Sequence, residues 1–129
     1  MKIIKVSWRE YISSIKALKT KLDKLRKIKS MDSVYGIPRG GLIPAVFFSH
    51  AYSIPLVSGD VKLSKLIIDD IADTGETLYG RLYNDNNIYS TLYAKNSAVK
   101  RLRMIGIELI YVNKVPQNVW IQFPYETGR

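Results

Sequence analysis

Residues Leu66 to Leu78 read LIIDDIADTGETL, an apolar run that ends in the adjacent acids Asp69 and Asp70, with Asp73 three residues later. Thr74-Gly75-Glu76-Thr77 follows at once. If that turn opens a helix, successive backbone N–H groups, two hydroxyls and the positive end of the helix dipole converge on one spot, which suits a phosphate. Gly75 lets backbone approach the anion, and threonine donates hydrogen bonds without bringing a competing charge. The acids would repel a phosphate on its own. They fit a ligand that also offers sugar hydroxyls, or a Mg²⁺ that Asp69 and Asp70 help to hold directly or through water. A phosphorylated sugar with a metal satisfies both halves of the motif.

A second stretch, Tyr35 to Leu42, reads YGIPRGGL. Arg39 is suited to clamp phosphate oxygens in bidentate fashion, and Gly40 and Gly41 free the backbone to present N–H donors beside it. Such a loop suits a pyrophosphate.

Loops of this kind need a scaffold, and in an open α/β sheet ligands sit beyond the carboxyl ends of the strands. From residue 33 short apolar runs alternate with turn residues and helix-like segments, the pattern of β-α-β units around a mainly parallel sheet. Strands are expected at 33–37, 54–57, 65–69, 88–94 and 108–113, and helices at 41–51 and 75–84. Before them, Ser7-Trp8-Arg9-Glu10 has the form of a capping box. Trp8, Tyr11, Ile12, Ile15, Leu18, Leu22, Leu25 and Ile28 recur at three- and four-residue steps, which predicts a helix from Trp8 to about Lys29 with one apolar face. The tail from Pro116 holds VWIQFPYE and too many prolines for a central strand.

The bulk composition is that of an ordinary folded domain. A chain of 129 residues with 47% hydrophobic and 24% charged residues suits one domain with a real core. Cysteine is absent, which excludes disulfides, thiolate metal sites and a cysteine nucleophile. No apolar run approaches the ~20 residues of a membrane-spanning helix, and the N-terminus has no signal-peptide pattern, so a cytoplasmic location without membrane contact is expected. The net charge is +9, and residues 1–30 carry ten Lys/Arg against two acids. A solvated face or an anionic partner would account for that concentration. His50, Tyr83, Tyr89 and Tyr93 are read as packing or surface residues.

IIDDIADTGETL resembles the 5-phosphoribosyl-1-pyrophosphate (PRPP) signature of the type I phosphoribosyltransferases, and GIPRGG resembles their pyrophosphate loop. VSWREY, YAK ending at Lys95, and VPQNVWIQFPYETG add the order and approximate spacing of the xanthine-guanine or hypoxanthine (purine) branch. The resemblance implies a single phosphoribosyltransferase-like domain over 1–129: a basic helical segment at 1–30, a mainly parallel sheet flanked by helices, and purine-binding hood elements at 95–129.

The activity implied is Mg²⁺-dependent transfer of the phosphoribosyl group from PRPP to a 6-oxopurine, giving a nucleoside monophosphate and pyrophosphate, in an enzyme that is a homodimer or larger. By the same resemblance, Asp69 and Asp70 bind the ribose hydroxyls and assist the metal, while Thr74, Gly75, Glu76 and Thr77 hold the 5-phosphate. Asp73 is the general base at the purine imidazole, Arg39 with Gly40 and Gly41 faces the pyrophosphate, Lys95 donates to the 6-oxo group, and Trp120 and Ile121 wall the base.

This chain departs from the family in one place: only Ser58 to Ser64 join the second strand to the PRPP strand, where the family has a long mobile loop. A different class of function therefore stands beside the enzyme, a catalytically weak PRPP- or nucleotide-binding regulator that contacts nucleic acid through its basic helix.

Overall fold

Ser7 starts the first helix as a reciprocal cap. Its hydroxyl accepts the Glu10 N–H at 3.1 Å, and the Glu10 carboxylate accepts the Ser7 N–H at 3.0 Å. Two donors that a helix start leaves without partners are thereby satisfied. The computed structural model describes residues 1–58, 64–76 and 86–126. Most of the 58–64 connection, nearly all of the helix expected at 75–84, and the residues Thr77, Tyr83 and Gly128 lie outside them.

Helix α1 spans Trp8–Asp23, not Trp8 to Lys29. Leu25 is extended (φ −87°, ψ 123°), and Arg26–Ser30 form a 3₁₀ turn. The extended Leu25 ends the helical winding, and Ile28 is buried from the 3₁₀ turn that follows it. Tyr11, Ile15, Leu18, Leu22 and Ile28 are buried as expected, but Trp8 and Ile12 are 50% and 48% exposed. The helix is rolled toward Ser14, a buried residue whose hydroxyl accepts a 2.9 Å hydrogen bond from the Asn113 amide.

The strands are β1 (Lys2–Lys5), β2 (Ser33–Gly36), β3 (Lys65–Ala72), β4 (Ile88–Lys95), β5 (Leu109–Val115) and β6 (Val119–Gln122), with helices α2 (Leu42–Tyr52) and α3 (Asn96–Met104). Strands β2-β3-β4-β5 form one parallel sheet in that order, and β1 and β6 pair in parallel as a second, two-stranded sheet. The expected strand at 54–57 is reduced to a single parallel bridge between Val34 and Leu56. Pro55, lacking an N–H, contributes only its carbonyl, to Val34 N–H at 2.9 Å. Strands β1 and β6 and helix α3 were not among the expected elements.

Faces of the main sheet are covered on both sides. Helices α1 and α2 pack over Val34, Leu66, Ile68, Ile88 and Leu92, and α3 packs with Ala98, Val99 and Leu102 over Ile67, Tyr89 and Leu109. Burial on both faces is why the LII of β3 is apolar without alternation. The bridge at Leu56 lies on one side of β2 and β3 lies on the other, so the chain reverses its winding direction at β2. The loops leaving β2 and β3 therefore flank the crevice where such a sheet takes its ligand.

Leu18→Ala, at a site with no exposure, is expected to cost about 2–5 kcal/mol in chemical denaturation. Ile12→Ala, in the same sequence stripe but half exposed, should stay within about 0.5 kcal/mol. Equal losses would contradict the observed roll of α1.

Candidate active site

The loop after β2 is folded onto the end of β3. Ile37 N–H donates to the Ile68 carbonyl at 2.9 Å, and Gly41 N–H donates back to the Ile37 carbonyl at 2.8 Å. Side chains are excluded by this approach: a Cβ on Gly41 would lie 2.3 Å from the Ile68 carbonyl oxygen, and one on Gly40 would lie 1.9 Å from Asp70 Oδ2. Glycine is needed at both positions so that the loop backbone can abut the carboxylate. Within the loop the Pro38–Arg39 peptide is cis, which no sequence signal announced. Arg39 is exposed and makes no ion pair with a described residue.

Asp69 and Asp70 are adjacent in the second half of β3, which runs on to Ala72 rather than ending at residue 69 as expected; both are partly buried, with the Asp70 N–H donating to Asp69 Oδ1 at 2.8 Å. Burial, and then the neighbouring Asp70 charge, push the Asp69 carboxyl up to about 8. Asp70 Oδ2 accepts a hydrogen bond from the Tyr125 hydroxyl. Among the described residues no group of three or more acid or histidine side chains could cage a metal. Two adjacent carboxylates do fit a Mg²⁺ ion whose remaining ligands are waters and substrate phosphate oxygens.

Asp73 and Lys95 form an ion pair at 2.8 Å, with the Lys95 side chain 6% exposed and that of Asp73 49%. β4 brings Lys95 there, since its last residues run beside Ile71 and Ala72 of β3. The turn that follows is held from α3. Gly75 has φ +85°, the Thr74 hydroxyl accepts the Glu76 N–H at 3.3 Å, and Arg101 donates to the Thr74 carbonyl at 3.3 Å. Arg101 also lies 3.5 Å from the Glu76 carboxylate. Thr77, the second hydroxyl of the expected cradle, lies outside the described residues.

A cavity of about 260 Å³ is lined by Asp70, Asp73, Lys95, Trp120, Ile121 and Phe123, among others. Five residues singled out in the sequence thus share one cavity. Arg39, Gly40, Gly41, Asp69, Thr74, Gly75 and Glu76 are not in its lining; Gly40 adjoins it through Asp70. Sequence reading missed Phe123, Tyr125 and Arg101. The VWIQFPYE string carried a signal for the first two, in aromatics two residues apart just after a predicted wall. Arg101 had none. His50 is exposed on α2, while Tyr89 and Tyr93 are buried in the sheet.

No protein-family model matches the chain. Across 95% of its length it is 28% identical to the xanthine-guanine phosphoribosyltransferase of Chromohalobacter salexigens, covering 83% of that protein. Across 98% it is 29% identical to the protein of the same name from Nitratidesulfovibrio vulgaris, covering 86%. These alignments run over 147 and 153 positions against a chain of 129 residues, so both relatives hold residues with no counterpart here. Among solved structures, the purine phosphoribosyltransferase from Pyrococcus horikoshii matches with a TM-score of 0.75 at 26% identity, covering all of this chain and 97% of that one. The Helicobacter pylori xanthine-guanine-hypoxanthine phosphoribosyltransferase matches at 0.71 with 16% identity, covering 97% of this chain and 92% of that one. The resemblance read from the motifs stands: the chain has the type I phosphoribosyltransferase fold and is similar to xanthine-guanine phosphoribosyltransferases.

The raised Asp69 carboxyl has a consequence for stability. An acid whose folded value is raised disfavours the fold wherever the unfolded chain would ionise it, so the penalty starts above about pH 4 and grows until pH reaches about 8. Asp69→Asn is therefore expected to raise the melting temperature at pH 8, with the gain shrinking as pH falls toward 5. Thermal melts across that range check it, and a gain independent of pH would contradict the assigned cause.

Proposed function

We propose that this protein transfers the 5-phosphoribosyl group of PRPP to a 6-oxopurine (hypoxanthine, xanthine or guanine), releasing pyrophosphate and a nucleoside monophosphate. One observation carries the reading: a buried lysine and a half-exposed aspartate are paired inside a cavity walled by Trp120 and Ile121, next to the Asp69–Asp70 carboxylates. A 6-oxopurine presents a carbonyl acceptor beside an imidazole N–H donor. It replaces each partner of the pair with a neutral group of the right polarity, Lys95 to the oxygen and Asp73 to the N–H. A 6-amino group would set donor against donor at Lys95, which disfavours adenine. The purine phosphoribosyltransferase names of the relatives support the same assignment.

In this reading Asp73 takes the imidazole proton while the opposite ring nitrogen attacks the anomeric carbon. The new C–N bond forms as the C–O bond to pyrophosphate breaks. Positive charge grows on the sugar and negative charge on the leaving group, so carboxylates under the ribose and Arg39 with the Gly40 and Gly41 backbone at the pyrophosphate stabilise the transition state more than the ground state. Asp69 and Asp70 would hold Mg²⁺, directly or through water, and the ion supplies charge neutralisation at the pyrophosphate. Thr74 to Thr77 would bind the 5-phosphate. The whole chain acts as one domain, with residues 95–129 as its hood. A cytoplasmic location belongs to the same proposal; among the described residues no helix is long and apolar enough to cross a membrane. A homodimer or larger assembly also belongs to it, supported by the exposed Leu42, Ile43 and Val46 on α2.

The regulator reading draws on the basic N-terminal segment, and several of those cations are engaged within the chain. Lys19 pairs with Asp23 at 2.8 Å, Lys21 donates to the Tyr111 carbonyl at 2.6 Å, and Lys27 donates to the Asn87 carbonyl at 2.9 Å. The cavity beside Lys95 and Asp73 favours the enzyme over a pure sensor of PRPP, which has no use for a base pocket.

Asp73→Asn keeps an oxygen for Lys95 but cannot take a proton. With Mg²⁺ and a 6-oxopurine, pyrophosphate release by this variant is expected to fall at least ~100-fold, with PRPP binding nearly unchanged. Equal loss of both, or no loss, would remove Asp73 from the role of base. The enzyme reading also expects no salt-sensitive nucleic-acid binding at ~50 mM salt, where a phosphate-neutralising regulator would bind well.

A further inference from the structure

We infer that Tyr125 is a positioning residue that ties the base wall to the ribose floor, its hydroxyl occupying on Asp70 the place that a ribose hydroxyl of the substrate takes. This rests on the phosphoribosyltransferase reading above and adds to it a residue with no role there.

Two features converge on Asp70 Oδ2. The Tyr125 O–H donates to it, and Gly40 closes another side so tightly that even one added carbon would lie 1.9 Å away. A sugar hydroxyl bound at this oxygen would compete with the phenol for it. Beside them the Tyr11 hydroxyl is fully buried and has no hydrogen-bond partner among the described residues, so the polar lining of this corner is incomplete. Both carboxylates lie close enough for their charge to raise the Tyr11 phenol, second only to the effect of its burial.

Apart from that hydrogen bond, Tyr125 is held by ring contacts. It stacks on Phe123 with centroids 5.6 Å apart and planes 2° from parallel, and stands edge-on to Tyr11 at 5.7 Å. Phe123 belongs to a turn closed by its own N–H to Glu126 Oε1 at 2.8 Å and by Glu126 N–H to the Phe123 carbonyl at 3.0 Å. That turn continues directly from β6, which carries Trp120 and Ile121. A phenol displaced from Asp70 therefore moves a segment continuous with the wall of the base cavity. The latch and the sugar exclude each other on one oxygen, so the latched state subtracts from affinity for the phosphoribosyl substrate.

Tyr125→Phe removes the O–H and keeps the ring stack. The test is calorimetric titration of PRPP with Mg²⁺, together with steady-state kinetics on a 6-oxopurine, for wild type and variant. The expected result is a Kd and a KM for PRPP lowered roughly three- to tenfold in the variant, without a matching gain in kcat. An unchanged or raised Kd in a folded Tyr125→Phe protein would overturn the inference and leave Tyr125 as a support for Asp70 or for the hood. If that variant does not fold, Phe123→Leu, which loosens the stack and keeps the phenol, must lower the PRPP Kd in the same way; no change or a rise there overturns it too. Wild-type protein that neither binds PRPP nor turns over would defeat the phosphoribosyltransferase reading itself, a result separable from the others.

Discussion

Two carboxylates forced side by side at the partly buried end of one strand are the constraint around which this site is built. Burial, and then the neighbouring like charge, favour protonation, and Asp69 shows that response. The surroundings answer the problem in distinct ways. Backbone at Gly40 comes up against Asp70 without a side chain, the Tyr125 phenol donates to it, and Lys95 neutralises the third acid, Asp73.

Positioning such a pair requires a rigid strand, and β3 is one of the two interior strands of the sheet. It lies between β2 and β4 in the main sheet, and the side chains of Leu66, Ile67 and Ile68 are fully buried. Helices on both faces leave its carboxyl end as the place where polar residues emerge. The reversal of winding at β2 sets the glycine loop beside that end and opens the crevice.

Much of this was legible in the chain, for a physical reason. The acids, the glycines and the Thr-Gly turn are contiguous in sequence, so their chemistry could be read without knowing what they pack against. The start of α1 was legible because a capping box is also local. Its end was not: the stripe continues through Leu25 and Ile28, although the backbone is extended at Leu25 and resumes as a 3₁₀ turn. Ile12 belongs to the same periodicity yet is half exposed, because a polar contact to Asn113, far along the chain, sets the roll of the helix. The short α3 carries its apolar residues at Ala98, Val99 and Leu102, a weak pattern over so few turns. Strands β1 and β6 were hidden because each is defined by the other, from opposite ends of the sequence. Tyr125 was hidden for the same reason: its partner Asp70 is 55 positions away.

The pairing of β1 with β6, with Lys2 opposite Val119 and Lys5 opposite Gln122, joins segments that lie far apart in sequence. Such a contact closes a long loop and carries the entropic cost of that closure. Unpaired, Ile3 and Ile4 would present a free strand edge, the kind of surface through which chains associate wrongly. Lys2 and Lys5, which flank them, bring the charge that keeps such edges apart. Folded, the same pairing sets Ile3 beside Trp120 and Ile4 beside Ile121, so the strand that lines the cavity is held by the chain's opposite half.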